Sequence, residues 1–157
     1  MQSTEEAVRG LYEQLLERWN QRDARGMAML FAVEGSMVGF DGSAINGRMQ
    51  IEDHLRPIFR DHPTPRFVGK VREVRPLAPK VMLLRAVAGM VPPEKTDINP
   101  ALNAIQSLVA LRRDEIWQIH LFQNTPAAFH GRPAEVEALT EELRAATKSD
   151  ATSDREP

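Results

Sequence analysis

Asp41 and His54 stand out first as groups that could move a proton. Asp41 follows the short apolar run Ser36-Met37-Val38-Gly39-Phe40, and His54 lies three residues after Ile51, at the edge of an apolar helical stripe. A carboxylate and an imidazole facing one cavity would serve as general base and general acid. The plainer reading, which is preferred, is that Asp41 makes a turn with Gly42 and that His54 is solvated or half-buried. Isolated Asp and His residues are more often structural than catalytic.

Amides form the second set: Asn103 and Gln106 in one extended run, Gln123 and Asn124 in the next. An amide both donates and accepts, so these residues could orient a ligand carrying carbonyl or hydroxyl groups. Strand alternation sends Asn103 and Gln106 to opposite faces, and likewise Gln123 and Asn124, so one of each pair lines a pocket unless a bulge intervenes. Arg85 interrupts an apolar run; it would hold an anion, pair across a dimer interface, or keep its head in water at an edge. Tyr12, Trp19, Met37, Phe40, Phe59, Met90 and Phe122 are core residues by default and also the natural lining of an apolar pocket. His54, His62, His120 and His130 show no ligand spacing, and there are no cysteines, so no metal site and no disulfide is expected.

The elements that must position these groups follow from periodicity. Ser3 and Glu6 fit a capping box, and Val8, Leu11, Tyr12, Leu15, Leu16 and Trp19 mark an amphipathic helix over about residues 4–21. Asp23 caps a shorter helix whose Met27, Leu30 and Phe31 share a face, ended by Gly35. A strand over 36–40, the Asp41-Gly42 turn and a helix opened by Asn46-Gly47 follow; Pro57 should kink or shorten that helix. From Arg66 the period becomes extended: strands over 67–74, 81–91, 101–112 and 116–125, with turns at 76–80 and 113–115, and Pro126 stopping the last ladder. Gly131-Arg132-Pro133 introduces a final helix carrying Val136, Leu139 and Leu143. One domain over 1–146 is expected, with a disordered tail over 147–157. Helices ahead of an antiparallel meander indicate an α+β fold, in which helices cover one face of a curved sheet and leave a concave site.

Composition bounds the rest. Of 157 residues, 42% are hydrophobic and 27% charged, as in a globular domain. A net charge of −2 offers no field for nucleic acid or anionic lipid, and neither a membrane span nor a secretory signal is visible, so a cytoplasmic setting is expected.

Trp19-Asn20-Gln21-Arg22-Asp23, Leu30-Phe31-Ala32, Asn46-Gly47-Arg48 with Ile51, and Trp117 after a short charged turn resemble the NTF2-like superfamily in its SnoaL-like or DUF4440-type form, over roughly residues 4–145. The segments 36–42 and 123–133, with 55–59 and 85–90, resemble the SgcJ/EcaC branch, found among enediyne antibiotic biosynthesis proteins. The resemblance implies a cystatin-like cone, usually a homodimer with packed sheets. It also implies a hydrophobic polyene or polyketide-derived ligand and a possible biosynthetic enzyme partner. Any chemistry would be cofactor-independent, since no Gly-rich dinucleotide turn is present. The steroid-isomerase branch would place its phenolic donor at Leu15 and its carboxylate base at Gly39. Tyr12 and Asp41 lie nearby but displaced, so that mechanism does not carry over. An acid/base enzyme, a non-catalytic carrier and a structural dimerisation module therefore remain as alternatives.

Overall fold

The computed structural model describes residues 2–155. Helix α1 (Thr4–Asn20) begins at the expected capping box: the Glu6 N–H donates to Ser3 Oγ at 3.1 Å, and the Ser3 N–H to Glu6 Oε2 at 3.3 Å. Its apolar stripe buries Val8, Leu11, Tyr12, Leu15 and Leu16. The C-terminal end is tied down by its last two residues. Trp19 Nε1 donates to the Pro65 carbonyl at 2.9 Å, while its ring stands edge-on to Phe59 at 5.1 Å. The Asn20 side chain accepts from the Phe67 N–H at 2.8 Å and donates to the Phe67 carbonyl at 3.1 Å, as a neighbouring strand would.

Helix α2 (Ala24–Ala28) is shorter than expected, and β1 (Phe31–Val38) starts where the helix was read to continue. Leu30 and Phe31 leave the helix because the sheet claims them: the Ile119 N–H donates to the Leu30 carbonyl at 2.9 Å, and Phe31 pairs with Ile119. Tertiary pairing here overrides a local helical period. Strand β2 (Ala44–Asn46) leads to Gly47, whose φ of 100° suits glycine and turns the chain into α3 (Arg48–Asp61). Arg48 Nε then bonds the Phe31 carbonyl at 2.9 Å. Helix α3 runs through Pro57 without ending there.

Strands β3 (Arg66–Ala78), β4 (Val81–Val91), β5 (Ala104–Arg113) and β6 (Ile116–Pro126) complete a six-stranded sheet in the order β2-β1-β6-β5-β4-β3. The sheet is mixed, not a pure antiparallel meander, because β6 returns beside β1 and runs parallel to it. Strand β3 continues through Pro76, read from the sequence as a turn; an edge strand tolerates the missing N–H. A 3-10 turn, Pro100–Leu102, occupies the start of what was read as extended chain. The curved sheet is covered on its concave face by α1, α2 and α3, so the architecture is α+β as expected.

Helix α4 (Pro133–Arg155) covers part of the outer face, setting Leu139 and Leu143 against Val68, Val87, Val91 and Ile98. Glu142 accepts from Arg72 at 2.7 Å and lies 3.3 Å from Lys70, and Arg144 grips Asp97 through contacts of 2.9 and 3.0 Å. These cations hold the Glu142 and Asp97 carboxyls below the usual range, chiefly through hydrogen bonds from Arg72 and Arg144. Helical backbone covers positions 147–155, where a structureless tail was expected; 156 and 157 lie outside the described residues. Once the packed turns around Leu139 and Leu143 nucleate the helix, adding turns needs no apolar period.

The close approach of α1 to the sheet depends on Gly69 in β3. A Cβ there would lie 2.5 Å from Tyr12 Oη and 2.5 Å from Leu16 Cδ1. Gly69→Ala should therefore destabilise the fold by about 1–3 kcal/mol, the usual cost of overpacking. Gly10→Ala, in α1 with nothing within 4 Å of the new methyl, should stabilise it by about 0.5–1 kcal/mol. Urea midpoints of the two variants check both signs.

Candidate functional site

The concave face carries one polar run among apolar side chains. Tyr12, on the buried stripe of α1, is 2% exposed, and its hydroxyl meets Gln106 Oε1 at 2.5 Å. Gln106, on β5, is 0% exposed and reaches Asn124 Oδ1 on β6 through Nε2 at 3.1 Å. Asn124 is half-buried, so the run leads from the deepest point under α1 toward the surface. Burial pushes the Tyr12 phenol far above its ordinary pKa, so it stays protonated and acts as a hydrogen-bond donor. Met37 and Phe122, adjacent across the β1–β6 pair, are buried in the same core.

Which residues face inward is set by a bulge at His120. Ala110 pairs with Ile119 while Val109 pairs with Leu121, leaving His120 as the extra residue on β6. Beyond the bulge Phe122 and Asn124 face the helices, as alternation predicts. Before it, Ile119 belongs to the concave core and Trp117 packs against that core. The Trp117 face was expected to turn outward toward packing or a dimer partner; the inserted residue reverses its parity. His120 Nδ1 is buried without a partner and lies 4.0 Å from Glu34, which also pairs with Arg113.

The other sequence candidates are dispersed. Asp41 is exposed in the β1–β2 turn, where its carboxylate accepts from the Ser43 N–H at 2.9 Å and the Ser43 hydroxyl at 3.0 Å. Those bonds, the backbone one foremost, hold its carboxyl below the usual range, with a smaller pull from His54. Asp41 thus serves the turn. His54 is exposed on α3, one turn after the buried Ile51 and at the edge of the buried face. The two share one rim of the fold without sharing a pocket. Arg85 is exposed on the outer face between Glu73 and Ser107. Asn103 is buried toward α4, where Nδ2 donates to Thr140 Oγ1 at 2.9 Å and Oδ1 has no partner. Asn103 and Arg85 therefore sit on the opposite side of the sheet from Tyr12, and Gln106 is the amide that joins Asn124. Met90 lies in the concave core, Trp19 and Phe59 pack against it at the end of α1, and Phe40 is half-buried in the β1–β2 turn. Leu15 is fully buried, and Gly39 follows β1 without a side chain.

Two surface hollows lie on the α4 side. One, about 350 Å³, is lined by Pro100, Ala101, Pro126, Ala127, Ala128 and Val136; the other, about 150 Å³, by Val91, Thr96, Asp97, Ile98, Arg144 and Thr147. Neither touches the Tyr12 run. No group of three or more potential metal ligands occurs among the described residues, and no helix there is long and apolar enough to cross a membrane.

With six curved strands enclosing three helices, the chain has the cystatin-like, NTF2-like fold. It is similar to a domain of unknown function with a cystatin-like fold from Nostoc punctiforme PCC 73102, at 23% identity and a TM-score of 0.77 over 99% of this chain and 100% of that one. An NTF2-like protein of unknown function from Shewanella oneidensis MR-1 matches at 14% identity and a TM-score of 0.59, over 76% of this chain and 96% of that one. A ketosteroid isomerase-like protein from Erwinia carotovora atroseptica SCRI1043 matches at 11% identity and a TM-score of 0.64, over 82% of this chain and 99% of that one. No protein-family model and no curated protein matches the sequence. At these identities the likeness establishes fold alone.

Tyr12→Phe removes the donor to Gln106 Oε1 and leaves that oxygen buried and unpaired. It should cost about 1–3 kcal/mol, read from urea unfolding. Adding Gln106→Leu should cost less than the sum of the single changes, since the orphaned acceptor is then gone.

Proposed function

We propose that this protein binds a hydrophobic, neutral small molecule at the concave face and acts as a carrier or accessory protein, without catalysing a reaction. The observation that carries this reading is the Tyr12–Gln106–Asn124 run, a protonated phenol and two amides that do not take up protons near neutral pH and that lead from under α1 to the half-buried Asn124. The resemblance to the SgcJ/EcaC branch supports a polyene or polyketide-derived ligand of the enediyne type, passed on by a biosynthetic enzyme partner. A second reading, cofactor-independent acid/base catalysis such as cyclisation, isomerisation or dehydration, would use Asp41 and His54 as base and acid. The carrier reading is preferred because the Asp41 carboxylate is already engaged by Ser43.

The outer sheet face supports a homodimer. Leu83, Val109 and Leu121 are neighbours across β4, β5 and β6, and Val81 pairs near them with Leu111. All five are only half-buried.

Two measurements test these readings. Pseudoionone, a linear conjugated methyl ketone, should bind at about one molecule per chain by calorimetry and be recovered unchanged. An Asp41→Ala/His54→Ala variant should bind it within about twofold of the parent. Conversion of the ketone by the parent and not by the variant would instead establish catalysis. For the dimer, sedimentation should give twice the chain mass, and Val109→Arg should give a monomer that still binds the ketone; a monomeric parent removes the dimer.

A further inference from the structure

Helix α4 packs as a part separate from the rest of the fold. Its Leu139 and Leu143 lie with Val68, Val87, Val91 and Ile98 in a cluster that shares no residue with the core beneath α1, α2 and α3. The sheet stands between the two clusters, so α4 can leave the outer face without opening the concave one. Two features weaken its attachment. The first is a buried amide. Asn103 is 1% exposed and donates through Nδ2 to Thr140 Oγ1 at 2.9 Å, while the Thr140 proton goes to the Val136 carbonyl at 2.8 Å. Thr140 therefore accepts from Asn103, and Asn103 Oδ1, turned the other way, has no protein partner among the described residues. Oδ1 lies 3.4 Å from where a Cβ on Gly89 would stand, and Ile98 Cγ2 and Leu143 Cδ1 come within 3.0 Å of the same point. Docking α4 thus sets apolar groups around an acceptor, which disfavours the docked state by about five- to a hundredfold. The second feature is that the ionic clasps are superficial. Glu142 with Lys70 and Arg72, and Arg144 with Asp97, join side chains that are 24% to 60% exposed. Each such pair favours docking by about fivefold at most.

We infer that α4 is a releasable cover: it leaves the outer face as a unit while the sheet and the helices of the concave face stay folded. Segments held by few buried apolar contacts open below the free energy of global unfolding, and α4 has two fully or nearly buried leucines where α1 buries five residues. Release uncovers Val87, Val91 and Ile98, which are 0%, 2% and 4% exposed beneath the docked helix. The outer face therefore has two apolar surfaces. The half-buried aliphatic residues Leu83, Val109 and Leu121 are always presented, and the patch under α4 is presented only when the helix is away.

Native-state hydrogen exchange on the full chain, in urea below the unfolding transition, tests this. Amides of α4 around Leu139 and Leu143 should show protection at least tenfold lower than those of α1 and the middle of β5. Their protection should also depend less steeply on urea, because opening α4 exposes less surface than unfolding the chain. Thr140→Val keeps the side-chain shape and leaves Asn103 Nδ2 unpaired as well. It should lower protection in α4 by a further tenfold or more and leave α1 unchanged. Glu142→Gln, a surface change that does not threaten folding, should lower protection in α4 alone, by up to about fivefold. One common protection and urea dependence for α4, α1 and β5 in the unmodified protein would show that they open only together and would overturn the inference. Variants that lower protection equally in α4 and α1 would overturn it as well.

Discussion

The hydrogen bond between Tyr12 and Gln106 is the constraint on which the rest of the concave face depends. A hydroxyl carried into the core by the buried stripe of α1 must find an acceptor, and a glutamine near the start of β5 supplies it. To let the ring descend that far, β3 has a glycine at position 69. To keep the helix at that height, its last two side chains are fastened to the start of β3 through Pro65 and Phe67. The polar bond and the two anchors thus locate one helix over one sheet from opposite ends, with apolar packing between them.

The two faces of the sheet are put to different uses. On the concave side the helices enclose a core whose polar atoms are strung in one line. On the outer side α4 covers only part of the surface, held by Glu142 and Arg144 as well as by leucines. The uncovered remainder joins a polar row, Glu73, Arg85, Ser107 and Gln123, to half-buried aliphatic residues on β4, β5 and β6. This division explains why residues close in sequence, such as Asn103 and Gln106, take part in unrelated structures. Asn103 braces α4, and Gln106 braces α1.

Much of the fold was legible because its causes are local. The capping box at Ser3, the stripe of α1, the glycine that opens α3 and the extended apolar run of β4 each rest on side chains a few residues apart. The α2–β1 boundary was not legible. Leu30 and Phe31 carry a helical period, and only a strand from the other end of the chain draws them into the sheet. The same holds for the continuation of β3 through Pro76, which depends on its lying at an edge. At the site, the amides were visible as residue types, and their opposite faces followed from alternation. Which face Arg85 and Asn103 would take was not legible, because the sequence does not say which face the helices will cover.

By itself, then, the chain determined its element types, its α+β class and the stock of groups able to bind a ligand. These follow from composition and short-range periodicity. Tertiary structure alone decided which of those groups meet. The bulge at His120 shifts half of β6 by one residue, so that Trp117 and Phe122 share a face that strict alternation would deny them. It likewise tied Asp41 to its own turn and joined Tyr12 to Gln106 across 94 positions of sequence. Such pairings depend on register and burial, and both are properties of the assembled sheet, not of any segment within it.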